Sequence, residues 1–334
     1  MRKFLPAGSA HALGLVALPL LFALPAVARA QATPGALAAA RNVIGARVEA
    51  MTILGGDFGL SDGNFHSTGS LGGESSDVDT SVTKIGGDGD VGDPMPLGDL
   101  DIGWQPRLQG SMGYLESSDH LQTRLLGGDT SELRTFAIEF GGGARFWTSP
   151  SFSFAPTMMV LYGHTDDSYY AYSRFGRQDL VYLQQQGIAD WSVDTWSLRP
   201  AVNLQYIVAL GRALITFSSD PTGFFTHGFD RSNAHEKIAG DSGLVVNKVD
   251  VDIPLGVEFY GHELRSGGYL SRTDLFGDLQ EGLGVEHVNE FHARLVLDFL
   301  NQLWKVQWLG VGASYLWGTN INGWTVGADV AFRF

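Results

Sequence analysis

Three places in this sequence hold side chains of a type and spacing that could do chemistry. Tyr260-Gly261-His262-Glu263-Leu264-Arg265-Ser266-Gly267 brings His262 and Ser266 within four residues, as a lipid-cleaving Ser–His pair would need. Glu286, His287, Glu290 and His292 form a second set, in which a strand would put 286, 290 and 292 on one face and 287 on the other. Glu290 and His292 could then act as an acid–base pair or serve as a plain structural hydrogen bond. His164 beside Asp166 and Asp167 is the third, an acid and imidazole set of the kind that activates water, with no evident second acidic pair. Gly87-x-Gly89-x-x-Gly92 matches a dinucleotide fingerprint on paper. It is rejected, because Asp88, Asp90 and Asp93 would repel phosphate and no helix follows. The same carboxylates miss the spacing of a calcium loop and suit a solvated turn. None of these sets is assigned as a catalytic, cofactor-binding or metal site, and no cofactor is expected.

The elements that would carry these residues start after residue 30. Arg2 and Lys3 precede an apolar run, Leu13–Val27, broken by Pro19 and Pro25, and Ala28-Arg29-Ala30 supplies small residues at a cleavage point before Gln31. That is the pattern of a secretory signal peptide over 1–30. Its removal takes away Arg2, Lys3 and Arg29 of the 22 Lys and Arg and none of the 36 Asp and Glu. So acidic a chain is expected to have no nucleic-acid partner, since phosphate binding needs clustered cations. There is no cysteine. No apolar stretch after the signal reaches the roughly 20 residues of a spanning helix. A soluble all-β protein and a membrane β-barrel remain.

Thr33 as N-cap and Pro34 at the first position predict a short helix over 34–48. Beyond it, period-two alternation takes over. Trp324, Val326, Ala328, Val330, Phe332 and Phe334 alternate with Thr325, Gly327, Asp329, Ala331 and Arg333. The segments 291–299, 249–257 and 196–206 repeat the pattern. A soluble sandwich would bury these apolar faces, whereas a barrel turns them to lipid and encloses the charges. The signal peptide, the terminal Phe334 and aromatics near strand ends (Trp104, Tyr114, Trp147, Tyr162, Trp191, Tyr206, Trp308, Trp317, Trp324) favour the membrane.

The expected fold is therefore all-β: a closed antiparallel transmembrane β-barrel of about twelve strands, with a short N-terminal helix. Strands are predicted at 49–58, 78–86, 102–115, 133–147, 151–164, 190–207, 211–219, 245–258, 265–276, 285–299, 304–317 and 324–334. Connections at 148–150, 208–210, 259–264 and 300–303 are short and those at 116–132, 165–189 and 220–244 long, as periplasmic turns and outer loops should be. The loop at 87–101 is long for the periplasmic side, and that at 318–323 short for an outer one. Arg107, Glu139, Arg145, Arg199, Asp250, Asp252, Glu258, Glu290, Arg294 and Asp329 are predicted inward, paired across a narrow and partly filled lumen.

This layout resembles the translocator of autotransporters: about twelve strands, a helix ahead of the first, and an aromatic C-terminus. With only a few residues between Gln31 and the helix, it resembles the family of solitary outer-membrane autotransporter-like β-barrel domains. The resemblance implies domains at 1–30 (signal), 31–48 (helix in the pore) and 49–334 (barrel), and no exported passenger. It also implies a Gram-negative outer-membrane location, contact with outer-membrane lipid and lipopolysaccharide, and delivery by the barrel-assembly machinery through the strand ending at Phe334. The function expected is structural or weakly channel-forming, and not enzymatic. The alternatives are a barrel-embedded lipid or peptide hydrolase and a narrow channel for small anionic or sugar solutes.

Overall fold

The computed structural model describes residues 59–332, apart from 72–73, 99–101, 122–127, 186–188, 233–238, 284 and 304–305. The expectations placed on 1–58 (signal peptide, helix 34–48, strand 49–58) and on Phe334 lie outside these residues.

The chain winds a single antiparallel sheet: β1 (Gly59–Leu71), β2 (Glu74–Asp90), the two-residue β3 (Met95–Pro96), β4 (Gly103–Leu121), β5 (Thr130–Ser149), β6 (Phe152–Tyr170), β7 (Ser192–Leu210), β8 (Ala213–Arg231), β9 (Ala239–Phe259), β10 (His262–Gly277), β11 (His287–Leu303), β12 (Val306–Gly318) and β13 (Ile321–Phe332). Two helices interrupt it, α1 (Arg174–Gln185) between β6 and β7 and α2 (Asp278–Leu283) between β10 and β11. Each long strand pairs with the next, β2 pairs with β4, and β1 pairs with β13, closing a ring of twelve strands. β3 only continues the edge of β4.

Register fixes the slant of the ring. From Asn64 on β1, paired residues run one way through Ser81, Glu116 and Arg134 to Asp166 on β6. The other way they run through Trp324, Tyr315, Phe291, Leu270, Val249, Phe217 and Tyr206 to Phe152 on that same strand. The two arrivals differ by 14 residues (152 against 166), a stagger that tilts strands by about 40°. At one end, called lower here, tight turns join β5 to β6, β7 to β8 and β9 to β10. Tyr260 and Gly261 (φ 52° and 78°) form one of them, the paired left-handed conformation of a two-residue hairpin. Both helices lie at the upper end, whereas 91–102, the connection from β2 to β4 that carries β3, is a long one at the lower end, as the sequence suggested.

The alternation decides which solvent lies where. On β6, Met158 and Val160 point outward at 48% and 53% exposure, while Met159 and Leu161 between them are 0% and 2% exposed. Outward apolar residues recur round the ring, for example Phe140, Phe217, Leu270, Phe291, Val311 and Val326. Water would not tolerate such a belt, but a bilayer requires it. On β6 it runs from Phe152 to Tyr162, after which His164, Asp166 and Ser168 follow outward. That is the span of a roughly 25 Å apolar band crossed at this tilt. Leu295, midway along the outward row from Phe291 to Phe299, should tolerate charge worst. Leu295→Arg is expected to cost about 2–4 kcal/mol in urea unfolding from liposomes. A cost near zero would place that row in water.

The structure corrects several sequence expectations. The first strand of the ring seen here is Gly59–Leu71, a stretch whose glycine, serine and aspartate content gave no strand signal. The connections expected at 116–132 and 220–244 are much shorter, at 122–129 and 232–238, because β4, β5, β8 and β9 run on above the apolar belt, while that expected at 165–189 lies at 171–191 because β6 runs on and β7 starts at Ser192. On β6 the outward face turns polar there, so hydropathy alternation stops while the hydrogen-bond ladder continues. Trp147 and Trp191 are not girdle residues. Trp147 lies on the inward side, its indole donating to Gln105 Oε1 at 3.0 Å, and Trp191 is buried with Leu133 and Val193 at the upper end. Tyr114, Tyr162, Trp196, Tyr315, Trp317 and Trp324 are exposed outward where the upper interface falls.

Candidate functional site in the barrel lumen

The enclosed side chains form two layers. In the lower layer, buried charges are paired, as desolvation demands. Arg199 Nη1 donates to Glu139 Oε2 at 2.6 Å, and Ser111 adds a bond to the same carboxylate at 3.1 Å. Arg107 bridges Asp88 and Asp90, and Arg145 reaches Asp90 at 2.9 Å, Ser153 at 2.9 Å and Gln205 at 2.5 Å. Across the ring, Arg294 makes a two-pronged contact with Asp250 at 2.8 and 2.9 Å. Arg265 meets Asp252 at 2.5 Å, with Asp298 at 3.6 Å and Glu263 at 3.8 Å also facing it. Of the ten residues expected inward, Glu258 stands apart, exposed beside the turn at 260–261. The others contribute to this layer or its neighbours.

The upper layer is apolar. Phe65, Leu115, Leu161, Phe224, Leu275 and Leu316, from six alternate strands, point inward and are at most 4% exposed. Val82, Ala137, Leu244 and Val288 add to it from four of the strands between them. Inward side chains alone do not fill a twelve-stranded barrel to its axis. Leu279 of α2 and Val285 just beyond it, 0% and 1% exposed, join the same cluster. Asp278 Oδ2 accepts from Asp241 N at 2.9 Å and Ser242 Oγ from Leu279 N at 3.0 Å, fastening this segment to β9.

His292 sits below that septum. Its Nδ1 lies 2.8 Å from Ser314 Oγ, its Nε2 lies 3.4 Å from Asp329, and its ring stacks on Tyr269 at 4.7 Å. Gly312 lies beneath the imidazole, where a Cβ would come within 2.5 Å of the ring. Tyr269 donates to Glu290 at 2.8 Å and lies under Lys248, so the expected Glu290–His292 pair is joined through an intervening tyrosine. Ser314, His292 and Asp329 have the residue types of a hydrolytic triad. The serine is 6% exposed and set in the middle of a strand, whose ladder already uses the backbone N–H groups that could hold an oxyanion. The cluster's evident work is to tie β10, β11, β12 and β13 together.

His262 and Ser266 both lie on β10, four residues apart along one strand. At about 3.3 Å per residue their Cα atoms are separated by roughly 13 Å, out of hydrogen-bond reach. His262 Nδ1 instead contacts the carbonyl of Asp298 at 3.2 Å. Gly87, Gly89 and their aspartates belong to β2 and its end, with Asp88 and Asp90 held by arginines rather than in a solvated turn. Among the described residues no acidic or imidazole group is arranged to hold a metal ion.

His164 has the second acid that the sequence did not reveal. Asp194, on the neighbouring β7, lies 2.6 Å from Nδ1, Asp166 lies 3.1 Å from Nε2, and Tyr162 donates to Asp194 at 3.0 Å. The set is outward, just above the apolar belt. The Asp194 hydrogen bond, with Asp166 adding charge, raises the imidazole pKa above the ordinary histidine value. The stabilising contribution of this protonation is complete below the ordinary histidine range and fades as pH rises through the raised value. In Asp194→Asn the NMR titration midpoint of His164 should fall towards about 6.5. An unchanged midpoint would show that Asp194 does not govern it.

At the upper rim, buried Asp129 receives Ser173 N at 2.5 Å, Ser173 Oγ at 2.7 Å, Tyr172 N at 2.7 Å and Tyr169 Oη at 2.8 Å. Burial opposes its charge, but these donors outweigh burial and keep its carboxyl below the usual range. It fixes the start of α1.

The ring of twelve strands, the enclosed charges and the outward belt can now be set beside known proteins. The profile described as "solitary outer membrane autotransporter beta-barrel domain" matches residues 94–327, about 70% of the chain. The chain belongs to this family. No curated protein matches this solitary barrel in sequence. In fold, the solitary barrel is similar to the β domain of the Bordetella autotransporter BrkA (14% identity, 83% of this chain and 99% of that one, TM-score 0.51). It is likewise similar to the transport unit of AIDA-I from Escherichia coli (9%, 87% and 99%, 0.54) and to the translocator domain of NalP from Neisseria meningitidis (12%, 90% and 98%, 0.51). At these identities the likeness is one of fold.

Proposed function

We propose that this solitary autotransporter barrel is a structural protein of the Gram-negative outer membrane whose lumen is sealed in its resting state. The observation that carries this is the septum: among the described residues, ten strands and the α2 segment contribute buried apolar side chains to one cluster in the upper lumen, a dry layer that would oppose passage of a solute or an extended polypeptide. The outward belt supports residence in lipid. The lower end, with its tight turns, faces the periplasm, and the upper end meets the lipopolysaccharide leaflet. Residues 1–30 are removed on export, and the strand ending at Phe334 delivers the chain to the assembly machinery.

Outer-membrane fractions should yield a band whose gel mobility changes on boiling, with an N-terminus at Gln31. Recovery in periplasmic extract, with no change on heating, would overturn the proposal.

A further inference from the structure

The upper wall of the barrel is not level. On one side, β12 ends at Gly318 and β13 resumes at Ile321, so the wall stops beside the girdle residues Trp317 and Trp324. On the other side β6 runs on from Tyr162 to Tyr170, eight residues that rise about 20 Å at this tilt. Its neighbours flank it there, since Glu116 pairs with Arg134, Arg134 with Asp166, and His164 with Asp194. This raised face looks outward, as the apolar belt beneath it does. What lies against it is the headgroup layer of the lipid whose acyl chains cover the belt.

Its charges form two matching sets, each with one cation held between two carboxylates. Arg134 lies 3.2 Å from Glu116 and 3.3 Å from Glu132, and His164 lies 2.6 Å from Asp194 and 3.1 Å from Asp166. Each carboxylate engages its cation through one oxygen, and its second oxygen meets no other described side chain. Tyrosines border both sets. Tyr170 donates to Glu132 at 3.3 Å and Tyr162 to Asp194 at 3.0 Å, while Tyr172, 62% exposed, is fixed through its backbone N–H on Asp129. Trp196 and Phe229 stand exposed beside Tyr162.

We propose that this face binds the neutral core sugars of lipopolysaccharide in the same leaflet. This rests on the outer-membrane reading and gives that contact its site. The free carboxylate oxygens accept from sugar hydroxyls, the guanidinium donates to them, and the tyrosine rings cover the apolar faces of the sugars. Two carboxylates for each cation leave the face negative, which opposes phosphate and selects the uncharged part of the headgroup.

The test offers the whole barrel, in nanodiscs, lipopolysaccharide with a complete core or the same lipid truncated before its neutral sugars. Lipid retained after exchange into detergent is counted by mass spectrometry. Wild type is expected to prefer the complete core by about tenfold, with or without a chelator. Arg134→Ala/Tyr170→Ala should shrink that preference to within about twofold. Asn322→Ala, on β13 across the ring, should leave it unchanged. Glu116→Gln/Asp166→Asn, which keeps side-chain shape, should raise retention of the truncated, phosphate-bearing lipid by at least about threefold.

Equal retention of both lipids by wild type would overturn the site, as would a preference that survives Arg134→Ala/Tyr170→Ala. A preference abolished by the chelator would overturn it too, and would assign the contact to phosphate bridged by divalent cations. So would unchanged retention in the isosteric variant, which decides the matter if the alanine variant does not fold. Heat-modifiable mobility is scored on every sample, so failure of the membrane barrel is read separately from failure of the sugar site.

Discussion

Phe224→Ala is expected to lower the unfolding free energy by about 3–5 kcal/mol, the largest loss expected from one apolar truncation in the septum. Phe224 is 0% exposed and packs in the septum, and the Arg199 guanidinium lies 5.6 Å from its ring centre. Truncation removes the buried ring, leaves a cavity in a layer that the closed sheet cannot collapse, and strips Arg199 of a cation–π partner worth about 0.5–2 kcal/mol. Phe224→Leu keeps most of the volume and should cost markedly less. Urea titrations in liposomes, read as the heat-modifiable fraction, measure both. A loss under about 1 kcal/mol for the alanine variant would mean that the ring already touches water and that the upper lumen is not sealed.

Removing the carboxylate of Glu139 should cost a similar amount for a different reason. Its side chain is 3% exposed, against 14% for Arg199, and the two are 2.6 Å apart. Glu139→Ala leaves a guanidinium enclosed with its nearest counter-charge gone, a loss of about 3–5 kcal/mol for a buried pair. Arg199→Met alone strands the carboxylate, so the double variant Glu139→Ala/Arg199→Met should cost clearly less than the two single losses together. If Glu139→Ala costs no more than about 1 kcal/mol, the pair behaves like a solvated surface contact and the lower layer is a wet vestibule without buried charges.

Period-two alternation finds a strand only where its two faces meet different solvents. Within the apolar belt they do, and Trp324–Phe332 or Phe291–Phe299 could be read with the right side turned to lipid. Above the belt β6 is polar on both faces, with His164, Asp166 and Ser168 outward and Thr165 and Asp167 inward, so its upper part reads as loop. The inward charges were legible by the same parity, and so was the expectation that they pair. Which carboxylate meets which guanidinium was not, since Glu139 and Arg199 are 60 residues apart and meet over the intervening β6.

Tertiary structure alone supplied the rest. Asp194 completes the His164 set from a neighbouring strand, at a register that no local spacing encodes. The 14-residue stagger, the septum and the burial of Leu279 and Val285 within it depend on strands far apart in sequence arriving at one height. The sequence by itself determined the strand-rich pattern, the outward apolar faces and the enclosed charge, because these follow from residue order along each strand. Whether the lumen is open or shut belongs to the closed ring, because it depends on how far side chains reach towards an axis that no single strand contains.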